Sequence, residues 1–327
     1  MLDRRQFLFR TAAGVGVALA ATHPSLAQLA NMPATLPDPA QFSNDQEAHW
    51  PQIRMETGSF LSTADSYAPG HEVRVISWNI NRGQQLDEVL QFLHRTPADL
   101  ILLQETDVNA RRTQNRNVAR EIAQALRMDY VFGCEFEELA QGSSSSPAYH
   151  GQATLSRMPI SESRILRFSR QSGFWRPRWF IPQLEKSQRR LGGRMALVSH
   201  VTWSEKRLLV YNLHLESRGS DRLRSSQLAE VVTDIHQCGS VLPVVVGGDF
   251  NFELSREPAI SVVNGAWLQN PFNHGNRRPT ITRPRLGRAR ALDWILVGGP
   301  LRYGRPELYD SVVASDHYPL SVAVQIS

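Results

Sequence analysis

Cysteine is almost absent. A chain of 327 residues carries two, Cys134 and Cys238. That excludes a dense disulfide framework, and no Cys/His spacing of the zinc type occurs. Both read as small buried hydrophobes, with a disulfide between them the alternative in an oxidising compartment. An uninterrupted membrane span is missing too: the apolar run TAAGVGVALAA near the start falls short of the roughly 20 residues a bilayer requires. No internal repeat is evident. A strong charge of either sign is lacking, at a formal +5 with 20% charged residues, and the small basic excess is unevenly placed. With 41% hydrophobic residues, the composition is that of a soluble globular protein.

The N-terminus is the most legible segment. LDRRQFLFR precedes the apolar run, and SLAQ offers a small-x-small cleavage site after Ala27. The pair Arg4-Arg5 before Phe7-Leu8 resembles a twin-arginine export signal. This predicts a signal peptide over 1–27, twin-arginine export machinery as a partner, and a bacterial protein in the periplasm or outside the cell. Removing residues 1–27 takes away three Arg and one Asp, leaving 33 basic and 30 acidic residues, or +3. Residues 28–70, rich in Pro, Ala, Ser and Asp, read as a linker and lead-in segment. One catalytic domain is expected over 71–327.

From residue 73 the pattern is regular. VRVISWNI, DLILLQE, YVFG, ATLS, RMALVSHVTW, RLLVYNLHL, LPVVVGG, LDWILV and LSVAVQI are strand-like. Leu86, Val89, Leu90 and Leu93 recur at helical spacing, as do Val118, Ile122, Ala125 and Leu126, and Leu228, Val231, Val232 and Ile235. Many strands, few helices and no strict βαβ alternation point to packed sheets with helices outside. Two stretches read as basic loops: 158–194 holds nine Lys/Arg against two Glu, and 277–290 holds six Arg and no acid.

The strands end in polar residues. ISWNIN closes with Asn79 and Asn81, LILLQET with Glu105. LVYNLHLES carries Asn212 and His214, and VVVGGDFN ends in Asp249 and Asn251. LDWILV begins with Asp293, and ASDHYPL sets Asp316-His317 before the last strand. Asp249 and Asn251 alone could be turn residues. A strand-like backbone would send both the same way, with Gly247 and Gly248 allowing close approach of neighbours. Taken together, Asp, Glu and Asn oxygens suit a hard cation, Mg²⁺ or Mn²⁺. The histidines suit a phosphoryl oxygen or proton transfer.

The ordered series SWNI, LQET, LHLES, GDFN, LDWIL and SDHYPL resembles the endonuclease/exonuclease/phosphatase superfamily, over residues 73–320. The resemblance implies an α+β (α/β) four-layer sandwich, two packed mixed β-sheets flanked by helices. It implies Glu105 as principal metal ligand with Asn79 beside it and Asp316 close by. It further implies that Asp249 activates water, that Asn251 positions the water or the phosphate, that His214 and His317 contact the scissile phosphate, and that Asp293 pairs with His317. Asn81 stands where AP endonucleases commonly have Asp, and His214 where that branch lacks a His. Gln152 replaces a frequent Asn. Arg224 and Gln227 match a frequent pattern that a solvated helix face would also explain.

The reaction expected is divalent-metal-dependent phosphodiester hydrolysis by a monomer. The substrate stays open. A nuclease would use the basic loops on phosphates and Trp175 or Trp179 on bases, with Arg176, Arg178, Asn81, Asn212 and Arg224 as substrate contacts. A phospholipid or sphingomyelin phosphodiesterase would set residues 174–182 on a membrane. A non-catalytic secreted binding protein is a more remote reading.

Overall fold

Alternating apolar residues build this chain into two sheets. A computed structural model describes residues 55–61, 72–175, 177, 189–203, 206–239, 242–255, 259–273, 278–282 and 290–327. The export signal and most of the lead-in lie outside the described residues. Within the lead-in, Met55–Gly58 forms β1.

The first sheet runs β1, β4 (Asp129–Glu138), β5 (Tyr149–Ser156), β3 (Leu100–Val108), β2 (Val73–Arg82), β14 (Leu320–Ile326) and β12 (Leu301–Tyr303). Short β7 (Arg190–Gly192) pairs with β4, and β13 (Glu307–Leu308) with β14. The second sheet runs β11 (Asp293–Gly298), β10 (Val244–Asp249), β9 (Lys206–His214), β8 (Met195–Trp203) and β6 (Ile160–Arg167). Both are mixed: β2–β3 and β9–β10 pair parallel, their other described neighbours antiparallel. The stretch 158–194, read as a loop, contains β6 and β7.

Period-two alternation sorts the core. Val73 and Val75 on β2, Leu100 and Leu102 on β3, Leu208 and Val210 on β9, and Val245 on β10 fill the space between the sheets. The alternate positions Ile76, Trp78 and Ile80 pack outward under helices α1 (Leu86–Arg95) and α2 (Val118–Leu126). Leu209, Tyr211, Val244 and Val246 pack outward under α3 (Asp221–Cys238) and α4 (Ala259–Gly265). Each sheet thus carries helices on its outer face, the expected four layers. No helix among the described residues is long and apolar enough to cross a membrane. Both cysteines are free; Cys134 is buried and Cys238 partly so.

The inner rows change character at one edge. Continuing the same parity, β2 reaches Asn79, β9 reaches Asn212 and His214, β10 reaches Asp249, and β11 starts at Asp293. Gly247 lies in that row, where a Cβ would meet Leu102 Cδ1 of the facing sheet at 2.7 Å. A Cβ on Gly248 would meet the carbonyl oxygen of Leu213 at 1.9 Å. The glycines therefore let β10 sit close enough to both neighbours to deliver Asp249.

Candidate active site

Strand register sets the frame. Asp249 pairs with Asp293 on one side and His214 on the other, so three functional side chains start from adjacent backbone positions. Asp249 is 2% exposed, and its Oδ2 lies 3.7 Å from Nε2 of both His214 and His317. The strand ends there. Asn251 has φ of 57°, and its backbone N–H donates to Asp249 Oδ1 at 2.9 Å. The reason first given for their shared direction is therefore wrong. A turn, not a continuing strand, carries Asn251 to the cavity, and the Asp that serves the turn also faces the site.

His317 is held from three sides. Its Nδ1 lies 2.9 Å from Asp293 Oδ2. Its carbonyl accepts from Trp78 Nε1 at 2.9 Å, and its N–H donates to Ser315 Oγ at 3.2 Å. Asp293 is fixed in turn by Thr280, whose hydroxyl donates to Oδ2 at 2.5 Å while accepting the N–H groups of Leu292 and Asp293. Burial alone would discharge the imidazole, but the carboxylates of Asp293, Asp249 and Asp316 outweigh it and push its pKa well above the ordinary value. His317 thus presents a charged Nε2–H to the cavity.

Glu105 owes its direction to an irregularity. β3 shifts register against β5 between Leu103 and Thr106, and β2 shifts against β3 between Asn79 and Arg82. Glu105 sits at φ of 53°, a left-handed conformation unusual in a strand. This bulge turns its carboxylate out of the pleat and into the cavity. Burial raises its pKa, but Arg82 and the other positive groups around it dominate and hold it well below the ordinary carboxylate value.

A cavity of about 220 Å³ opens here. Glu105, His214, Asp249, Asn251, Asp316 and His317 all line it. Asn79 stands behind them. It is 1% exposed, its Oδ1 accepts the N–H of Asn81, and its NH₂ donates to Glu105 Oε1 (3.4 Å) and Asp249 Oδ2 (3.2 Å). Turning the amide over to ligate a metal would orphan that backbone N–H. Here Asn79 bridges the two carboxylates.

Divalent metals are typical of the family that these motifs resemble, and the residues fit one. Glu105 and Asp316 offer carboxylate oxygens to the cavity, the donors a hard cation takes. Asp249, Asp293 and His317 also bring ligand atoms within 4.8 Å of one another. His317 and Asp293 already satisfy each other there. A cation held by Glu105 and Asp316 would polarise a phosphoryl oxygen.

Of the expected substrate contacts, Arg224 and Trp175 line the cavity while tied to partners of their own, and Asn212 and Asn81 do not line it. Asn212 is fully buried between the sheets. Its NH₂ donates to the carbonyls of Leu103 and Ala153, and its Oδ1 accepts from Gln104 Nε2 at 2.7 Å. It closes the apolar core and is not among the cavity's lining residues. Arg224 and Gln227 are buried rather than solvated. Arg224 donates to the carbonyls of Glu216 and Ser217, and Gln227 accepts the Glu216 N–H, so both pin the loop after His214. Trp175 is no free stacking platform: it is 8% exposed, donates Nε1 to Glu216, and lies against Phe136. Asn81 is half-buried, its side chain accepts from Arg82, and it is not among the lining residues. Arg176, Arg178, Trp179 and most of 174–182 lie outside the described residues.

Glu135 was not foreseen. Fully buried on β4, it accepts from Arg194 Nη1 at 3.0 Å and Gln152 Nε2 at 3.1 Å, and its Oε2 lies 3.5 Å from His214 Nδ1. Against the cost of burial, Arg194 and His214 lower its pKa to about 2. The signal was a Glu inside the apolar stretch YVFGCEF. Gln152, one methylene longer than the frequent Asn, reaches this carboxylate. His214 therefore lies between two carboxylates, Glu135 and Asp249.

The Endonuclease/Exonuclease/phosphatase family model matches residues 76–317. No curated protein matches. Among solved structures, an endonuclease/exonuclease/phosphatase family protein from Bacteroides thetaiotaomicron is similar at 16% identity and a TM-score of 0.58, covering 80% of this chain and 100% of that one. An endonuclease/exonuclease/phosphatase from Beutenbergia cavernae has 16% identity and a TM-score of 0.57, over 78% and 72% of the two chains. A Bacteroides thetaiotaomicron mannosyl-6-phosphatase has 17% identity and a TM-score of 0.56, over 77% and 99%. At these identities the likeness is one of fold.

Proposed function

The chain belongs to the endonuclease/exonuclease/phosphatase family, hydrolases of phosphoester bonds, and on that premise we propose that it is a divalent-metal-dependent phosphodiester hydrolase, a nuclease or general phosphodiesterase. The observation that carries this reading is Asp249 Oδ2, equidistant at 3.7 Å from the Nε2 atoms of His214 and His317. All three groups line the cavity of about 220 Å³, which has room for an attacking water and the phosphoryl oxygens. Asp249 takes or orients the water's proton, Asn251 steadies the water or phosphate, and the two imidazoles stabilise charge as the bond to the leaving oxygen breaks. Glu105 and Asp316 would hold a divalent cation, which would offset charge on the phosphate.

The test is a substrate panel: plasmid DNA, RNA, sphingomyelin and bis-p-nitrophenyl phosphate, each with Mg²⁺ and with excess EDTA. Cleavage of nucleic acid or the synthetic diester, lost in EDTA and restored by Mg²⁺ or Mn²⁺, is the expected result. Cleavage of sphingomyelin alone would replace it with the lipid reading, and full activity in EDTA would remove the metal. We also propose export by the twin-arginine route to the periplasm or beyond. Replacing Arg4 and Arg5 with Lys should then hold the precursor in the cytoplasm, and normal delivery of that variant would indicate the general secretory route.

A further inference from the structure

The cavity lining is rich in arginine. Arg82, Arg190, Arg194, Arg218, Arg224 and Arg290 line it, against three carboxylates, Glu105, Asp249 and Asp316. Arg224 is answered by Asp221 at 2.7 Å and Arg194 by Glu135 at 3.0 Å. Arg190 is not fully answered. It is 4% exposed, with Nε 2.7 Å from Glu138 Oε1, a carboxylate that Arg112 also holds at 2.9 Å. Neither its Nε nor its Nη2 has an aligned hydrogen-bond acceptor, and the buried Nε of Arg194 has none either. Arg218, exposed at the mouth, has its guanidinium 5.0 Å from the Phe174 ring and no carboxylate partner among the described residues.

This wall is built and rigid. The guanidinium carbons of Arg190 and Arg194 lie 5.0 and 5.4 Å from the Trp175 ring centroid, and Glu216 fixes that ring through its Nε1. Burying guanidinium groups without full hydrogen bonding is costly. A structure that keeps such groups at a ligand cavity is preorganised for an anion. One phosphodiester carries a single negative charge, and a divalent cation at Glu105 and Asp316 would widen the positive excess.

We propose that Arg190, Arg194 and Arg218, backed by Trp175, form a second anion subsite that takes a further phosphate group of the substrate, next to the phosphate being cleaved. The proposal rests on the phosphodiesterase reading and specifies its substrate: a diester that carries another phosphate nearby. A cationic headgroup would be repelled here.

Two synthetic esters test it on the full mature chain with Mg²⁺: thymidine 3′-(p-nitrophenyl phosphate), and the same compound bearing a 5′-phosphate. The readout is the ratio of kcat/KM between them. It is taken on one enzyme sample and so does not depend on the folded fraction, which matters for the buried Arg190. The ratio should favour the phosphorylated ester by roughly tenfold or more, the scale of one charge-assisted contact. Arg190→Gln and Arg218→Ala should each lower the ratio toward one, through KM for the phosphorylated ester. A wild-type ratio near one, or a ratio unchanged in both variants, overturns the subsite. Equal losses on both esters would assign these arginines to the scissile phosphate and also overturn it. Cleavage of neither ester would remove the phosphodiesterase reading, and the subsite with it.

Discussion

Two buried histidines of this protein touch carboxylates at nearly the same distance, yet their pKa values are pushed in opposite directions. His317 Nδ1 lies 2.9 Å from Asp293, and His150 Nδ1 lies 2.8 Å from Asp107. His317 is pushed well above its ordinary pKa, and His150 well below it. Burial lowers the pKa of both. The difference lies in the other charges nearby. Among the described residues, Asp293 is shared with the neutral hydroxyl of Thr280, while Asp249 and Asp316 add negative charge around His317. Asp107 already accepts two bonds from Arg112, at 2.6 and 2.8 Å, and Arg190 stands close to His150 as well. A His–Asp contact is therefore no measure of charge by itself. The sum of nearby charges decides it, and here it separates a catalytic edge from the packing behind it.

The largest way to break the contrast is at the catalytic edge. His317→Ala removes a preorganised cation facing the reacting phosphate, and kcat should fall on the order of 10²–10³-fold. Asp293→Asn should cost somewhat less, since the imidazole stays but loses its counter-charge. The double variant should be hardly worse than His317→Ala alone, because the two act as a unit. Steady-state kinetics on any cleaved substrate checks this, and fully multiplicative losses would show independent action. His150→Gln, which retains a polar side chain there, should lower kcat far less than His317→Ala.

A smaller change should shift one of the two. Arg112→Gln frees Asp107 from its guanidinium partner and removes one of the positive charges near His150. Its imidazole should then titrate higher than in the wild type. Long-range nitrogen–proton correlation of the imidazole over a pH series reads this directly. An unchanged His150 titration in that variant would show that burial, rather than Arg112, sets its charge.

The smallest effect is on stability against pH. His317 has a folded pKa above its unfolded one, so its contribution is full below about pH 6.5 and is lost as pH rises through the raised value. His150 has a folded pKa below its unfolded one, so stability falls as pH drops below about 6.5. Each can tilt the curve by at most about 1.4 kcal/mol per pH unit. In metal-free urea titrations, His317→Gln should flatten the alkaline limb and His150→Gln the acid limb near pH 6. An unchanged acid limb in His150→Gln would assign that slope to other groups.

Much of the catalytic edge is legible because short local rules write it. Asp249, Asp293, His214 and Glu105 each stand where an apolar alternation stops, and alternation fixes a face and an end. The same rules misread Asn212, one step earlier on the inner row, since nothing local says that Leu103, Gln104 and Ala153 lie across from it. Arg224 and Gln227 looked solvated for the same reason: their partners, Glu216 and Ser217, come from a loop that folds back over the helix.

The sequence by itself determined the sheets, the outer helices and the order of the polar strand ends, because periodicity and turn chemistry act over a few residues. Only the tertiary structure decided which charges those ends carry. The bulge that turns Glu105 outward, the amide of Asn79 joining two carboxylates, Glu135 beside His214 and Thr280 under Asp293 all depend on chains far apart in sequence. Electrostatic energy depends on distance and burial, and folding fixes both.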